Sequence, residues 1–230
     1  VRPPRAIVFD LDGTLADTRR DIAAACNHAL TAVGRPTLPV EVVAGYVGDG
    51  ARMLLARALG VGAADPLVDA AMPHWSEYYV AHVADFSSLM PGVQEALGAC
   101  APLQLALATN KPRAATVALL DALGLSGRFQ SVFAGGDGPM KPDPRVIHQA
   151  LLPLGVHARD AWVVGDGPQD VGAGKGAGAE TVAVLGGFGK ESDLRSSEPS
   201  LVITSLFELP QLLELALSER PTAPVSESSR

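Results

Sequence analysis

An apolar, β-favouring run, Ala6-Ile7-Val8-Phe9, breaks directly into Asp10-Leu11-Asp12-Gly13-Thr14-Leu15. Two carboxylates therefore leave a strand at its carboxyl end, where open parallel sheets place their ligands. Gly13 lets the backbone turn at once, and Thr14 adds a hydroxyl beside the acids. Such a pair suits covalent phosphoryl chemistry, in which one carboxylate attacks and the other handles protons. Asp-Gly is also an ordinary turn dipeptide, so the rest of the chain has to decide between the two readings.

From residue 90 onward short apolar runs alternate with helical stretches. Strands are expected at 103–108, 131–134, 161–164, 180–185 and 201–204, with helices at 92–100, 112–124, 143–154, 169–178 and 206–217. This alternation predicts an α/β core, a parallel sheet with helices on both faces, and the strand at 6–9 joins it. Residues 17–86 read as all-helical. Thr18-Arg19-Arg20-Asp21 resembles a capping box opening a helix to about residue 33, Pro36 and Pro39 end it, and further helices follow near 40–46, 50–59 and 66–82. The expected organisation is thus a core of residues 1–16 and 87–218, a small helical cap of residues 17–86 hinged at 15–18 and 86–92, and a polar disordered tail over 219–230. A cap inserted there is placed to act as a lid over the acids.

Composition limits the partners. Apolar residues make up 47% of the 230, but aromatics only 5%, so the core must be built from Ala, Val and Leu. A formal charge of −7 argues against nucleic acid or an anionic membrane as partner. Cys26 and Cys100 lie far apart without metal-ligand spacing and read as inert, reduced thiols. The amino terminus lacks the apolar region of a secretion signal, and no apolar run approaches the ~20 residues that span a bilayer. A cytoplasmic protein, monomeric or homodimeric, is expected.

Four strand ends carry reactive-looking residues: Asp10 and Asp12; Thr109-Asn110-Lys111; Gly135-Gly136-Asp137 leading to Lys141-Pro142; and Gly165-Asp166-Gly167-Pro168-Gln169-Asp170. Each has a plain alternative, as helix N-cap, solvated loop lysine or acid facing a helix dipole. In a parallel sheet they converge on one crevice, and that consistency favours a site. Clustered acids raise one another's pKa, which a hard divalent ion relieves, and oxygen ligands without His or Cys point to Mg²⁺. Asp10 and Asp166 are the expected side-chain ligands, with Asp12 contributing its carbonyl. Lys141 supplies fixed charge, while Thr109 and Asn110, with nearby backbone N–H groups, hold phosphate oxygens. Asp170 is expected to steer Lys141 or a bound water from behind, with Thr14 in a similar supporting place. In this scheme Asp10 attacks phosphorus, and Asp12 protonates the leaving alkoxide and then activates water.

These four segments, in this order, resemble the motifs of the haloacid dehalogenase-like hydrolases, and the resemblance runs from about residue 5 to 217. It implies a Rossmann-like core, dependence on Mg²⁺ and an aspartyl-phosphate intermediate. Within that family the stretch Gly45-Tyr46-Val47-Gly48-Asp49-Gly50-Ala51-Arg52 and the later Gly186-Gly187-Phe188-Gly189 are similar to the phosphoglycolate phosphatase group. That likeness implies a phosphatase acting on a small phosphorylated metabolite, 2-phosphoglycolate first, with Gly48 and Arg52 of the cap facing its non-phosphate end. Rival readings are a sugar-phosphate mutase of the β-phosphoglucomutase type, a pyrophosphatase or nucleotide phosphatase, and a catalytically silent binding module. Two departures are visible: a short loop before Lys141, and Gly167 where a small hydroxyl residue is usual. Trp75, Tyr78, Tyr79 and His82 have helical spacing and are expected to pack inside the cap or against its hinge. His74 and His148 are expected at the surface, and the glycines from Gly172 to Gly178 are expected to mark close helix packing.

Overall fold

The computed structural model describes residues 2–218; the expected tail at 219–230 lies outside them. Six parallel strands form the main sheet: β1 (Ala6–Phe9), β4 (Gln104–Pro112), β5 (Ser131–Gly135), β6 (Ala161–Gly165), β7 (Glu180–Val184) and β8 (Leu201–Ile203). Their order is β5-β4-β1-β6-β7-β8, so β1 is central and the chain switches direction across it. All four residues of β1 are buried, because helices cover both faces and a strand in that position can afford no polar side. One face is covered by α7 (Arg145–Leu151) and α8 (Pro168–Ala177); α5 (Val93–Ala99), α6 (Arg113–Ala122) and α10 (Leu209–Ser218) bury their apolar stripes in the larger core on the other.

Glycines bring α8 close. A Cβ on Gly172 would stand 3.1 Å from Pro142, and one on Gly176 would stand 3.1 Å from Pro144. The expected close packing is therefore present, and it seats the loop that carries Lys141 against the helix that carries Asp170.

The insert holds α1 (Arg19–Ala32), α2 (Val40–Ala44), α3 (Ala51–Leu59) and α4 (Pro66–Ala81). α1 packs on α4 and α2, and α3 on α4. The apolar core runs without a break from Phe9 and Leu107 of the sheet to Ile22, Leu55 and Trp75 of the insert. Burial of side chains of this size is worth about 1.5–3 kcal/mol each, so contact between the two layers contributes to stability.

Four sequence expectations need correction. The segment read as strandless begins with a strand: β2 (Ala16–Asp17) pairs antiparallel with β3 (Ser88–Leu89), which ties the two chain crossings together. The capping box does not form. Thr18 stands at the N-cap position of α1 without a side-chain cap bond, and its hydroxyl donates to Asp12 at 2.7 Å. Asp21 instead accepts from the backbone N–H groups of Phe86 and Ser87 and from the Ser87 hydroxyl, at 2.6–3.1 Å. Helix α9 (Glu191–Ser196) was not expected; only Leu194 of its six residues is buried, so it carries almost no hydrophobic signal. β4 also runs on through Thr109, Asn110 and Lys111 with an irregularity after Ala108, where a plain strand end was expected.

Candidate active site

The register of β1 fixes where its acids emerge. Phe9 lies opposite Leu107 on one side and Val164 on the other, so Asp10 steps off the sheet level with Ala108 of β4 and with Gly165, the last residue of β6. Its N–H still donates to the Val164 carbonyl at 2.9 Å. The next turn depends on Gly13, at φ +89°, a conformation L side chains rarely adopt. A Cβ there would also run into the Asp166 carboxylate.

Asp10, Asp166 and Asp170 offer carboxylate oxygens that all lie within 4.8 Å of one another. Lys141 Nζ reaches into the group, 2.5 Å from Asp10 Oδ1 and 2.6 Å from Asp170 Oδ1. Asp170 Oδ2 accepts from the Gly167 N–H at 3.0 Å at the start of α8, so this acid is held at both oxygens. Asp166 is held as firmly: Thr14 Oγ1 donates to Oδ1 at 2.8 Å, and the Phe188 N–H donates to Oδ2 at 2.7 Å. The Gly186-Gly187-Phe188-Gly189 loop thus fastens the metal-ligand candidate.

Charge is unbalanced here. Three buried carboxylates share one buried ammonium, an excess of two negative charges if all three are ionised. Burial pushes Asp10 up to about 8, against the pull of Lys141 and aided by the repulsion of Asp170 and Asp166. Burial and Asp170 likewise push Asp166 up to about 6. Burial pulls Lys141 down, but Asp10 and Asp170 outweigh it and hold the ammonium above its ordinary value. An attacking carboxylate must be ionised, so a divalent cation held by oxygen donors fits the deficit these residues create.

Asp12 sits apart from that group. Its Oδ1 accepts from Thr18 at 2.7 Å and from Lys111 Nζ at 2.8 Å. Lys111, whose side chain is 2% exposed, also donates to the Tyr79 hydroxyl of α4. Two contacts on the same acid and its partner thus come from the helical insert. The Tyr79 hydroxyl is pushed well above its ordinary range by burial and by Asp12 and Asp21, so it stays protonated.

Asp10, Asp12, Thr109, Asn110, Lys111 and Lys141 line one cavity of ≈ 40 Å³ together with insert residues that include Gly48, Leu54, Trp75 and Tyr79. Asn110 lies on its wall, yet its side-chain amide is occupied: it donates to the carbonyls of Gly48 and Lys141 and accepts from the Lys141 N–H. It therefore ties the insert to the core and positions the Lys141 backbone, which leaves the Thr109 hydroxyl and the Lys141 ammonium for phosphate oxygens. Gly48 lies on the cavity wall; Arg52, expected there with it, is absent from that wall and bonds instead to the Ala63 carbonyl, at 2.7 Å, and to Asp69. Being on α3, it faces the loop before α4 and α4 itself.

Trp75 and Tyr79 do pack inside the insert, at 3% and 1% exposure, but they also wall the cavity, a role that helical spacing alone could not assign. Tyr78, half-buried against the same core, stacks on His28 of α1 at 4.5 Å and on His82 at 4.3 Å. His74 and His148 are exposed as expected. Gln169, between Asp166 and Asp170 in sequence, also lines the cavity, a place its uncharged side chain does not announce.

The haloacid dehalogenase-like hydrolase model matches residues 7–184, and the chain belongs to this family. A plasmid-borne phosphoglycolate phosphatase of Cupriavidus necator is 37% identical, over 92% of this chain and 94% of its own. A phosphoglycolate phosphatase of Rhodospirillum rubrum is 38% identical over 82% of both. Among solved structures, a predicted phosphoglycolate phosphatase from Haemophilus somnus superposes with a TM-score of 0.82 at 26% identity, covering 91% of this chain and 97% of its own. CbbY from Rhodobacter sphaeroides, determined in complex with phosphate, superposes with a TM-score of 0.77 at 26% identity, covering 90% and 96%. Among the described residues no helix is long and apolar enough to cross a membrane.

Proposed function

We propose that this chain is a Mg²⁺-dependent phosphatase that hydrolyses a small phosphate monoester, 2-phosphoglycolate, through an aspartyl-phosphate. The observation that carries the reading is that Asp10, bridged by Lys141, and Asp12, held by Thr18 and Lys111, open onto the same cavity. Relatives named phosphoglycolate phosphatase over most of the chain support the substrate. A cavity of ≈ 40 Å³ supports a short leaving group over a phosphoprotein.

In this mechanism an Asp10 carboxylate oxygen attacks phosphorus as the ester P–O bond breaks, and Asp12 gives its proton to the departing alkoxide oxygen. Water then attacks the phosphorus of the aspartyl-phosphate while Asp12 takes its proton, and the bond to Asp10 breaks to release inorganic phosphate. Lys141 and the Thr109 hydroxyl offset charge on the transferring group. Asp10 and Asp166, with the Asp12 carbonyl, would hold the metal, which when bound supplies further positive charge at the same place. Asp170 holds Lys141, and Thr14 holds Asp166.

The test is release of free phosphate from 2-phosphoglycolate with Mg²⁺ and with EDTA. Turnover is expected only with Mg²⁺, and Asp10→Asn is expected to reduce it by on the order of 10⁴-fold or more. Return of the phosphoryl group to a sugar in place of water would establish a mutase, and Mg²⁺-dependent turnover persisting in Asp10→Asn would remove Asp10 as nucleophile.

A further inference from the structure

The far wall of the cavity is built by α4, and it holds an unmet donor. Trp75 contributes to that wall, and its Nε1–H is the one buried side-chain polar atom without a hydrogen-bond partner among the described residues. The other tryptophan shows the usual state: Trp162 Nε1 donates to the Arg2 carbonyl at 2.8 Å. Buried polar groups are nearly always paired, so a donor left over on a residue that lines a cavity is available to a molecule that fills it.

Neighbouring groups define the acceptor. Lys111 Nζ lies 4.4 Å from the centre of the Tyr79 ring, which itself lies 4.8 Å from that of Trp75. The ammonium donates to Asp12 and Tyr79, so one of its three protons is uncommitted. The remaining insert wall, Ile22, Val47, Gly48, Gly50, Ala51 and Leu54, carries no polar side chain. A neutral donor, a cation and an apolar wall complement a compact anion.

We propose that Trp75 is a specificity-determining residue: its indole N–H donates to a carboxylate oxygen on the non-phosphate end of the substrate, and Lys111 supplies the neighbouring charge. This rests on the phosphatase reading above and adds which atom distinguishes a carboxylated ester from a plain one.

The test compares 2-phosphoglycolate with ethyl phosphate, which carries a methyl group in place of the carboxylate. In Trp75→Phe, kcat/KM for 2-phosphoglycolate should fall roughly 10-fold or more, as expected for loss of a hydrogen bond to a charged group, with ethyl phosphate changed less than about 2-fold. In ¹⁵N-labelled Asp10→Asn protein with Mg²⁺, 2-phosphoglycolate should shift the Trp75 indole N–H resonance saturably, while ethyl phosphate should not and the Trp162 resonance should stay in place. Equal losses on both esters, or a Trp75 resonance that 2-phosphoglycolate does not move, would overturn the proposal. Should Trp75→Phe fail to fold, the indole titration decides alone, with the resonance assigned by elimination from a Trp162→Phe sample. Failure of the phosphatase reading is seen separately, as no phosphate released from either ester by the unmodified chain; the titration needs no turnover.

Discussion

Lys111 Nζ stands 2.8 Å from Asp12 Oδ1, the same oxygen that accepts from Thr18 Oγ1 at 2.7 Å. One donor comes from the sheet edge and the other from the start of the helical insert, so the proposed proton carrier is oriented jointly by both layers. Thr18→Val keeps the branched shape and deletes the donor. A lost hydrogen bond to a carboxylate is worth about 1.5–3 kcal/mol, so kcat should fall at least about 10-fold with KM little changed. Steady-state phosphate release measures both.

Lys141 is the counter-charge for two buried acids, Asp10 and Asp170. Its removal in Lys141→Ala leaves those carboxylates without their ammonium. Breaking a buried pair from one side typically costs about 3–5 kcal/mol, and urea unfolding in EDTA should show a loss of that order along with the loss of activity.

Mg²⁺ should stabilise the folded chain, because the acidic cluster exists only when the strand ends are assembled. Saturation to 100 times the dissociation constant is worth about 2.7 kcal/mol, which should appear as a raised thermal midpoint that EDTA reverses. In Asp166→Asn the midpoint should no longer respond to Mg²⁺.

Burial pushes both thiols, Cys26 and Cys100, up to about 12. A raised folded-state pKa means the thiols favour folding below the free-thiol value of about 8.5 and that this contribution drains away as pH climbs toward the folded value. Iodoacetamide at pH 8.5 should therefore label neither cysteine in the native protein and both in denaturant. Mass spectrometry of the intact chain gives the count.

The sheet was legible because its strands are short, apolar runs at regular spacing, and Asp10, Asp12, Lys141 and Asp166 stood out as candidates because each follows such a run. What escaped had physical reasons. β2 and β3 are two residues each, below the length at which alternation exists. Thr18 and Asp21 have capping-box chemistry but spend it on Asp12 and on the Phe86–Ser87 backbone. Arg52 sits beside the Gly48–Gly50 loop in sequence, yet one helical turn is enough to point it at Asp69. Trp75 and Tyr79 read as packing because periodicity gives a buried face without saying what that face borders.

The β2–β3 ladder places both strands that leave the sheet within a few residues of Asp12, like a door hung on a pin set into the latch. Thr18 reaches Asp12 from beside that pin and Tyr79 meets Lys111 from the far leaf, so the acid and its ammonium have their full set of partners only with the door seated in this position.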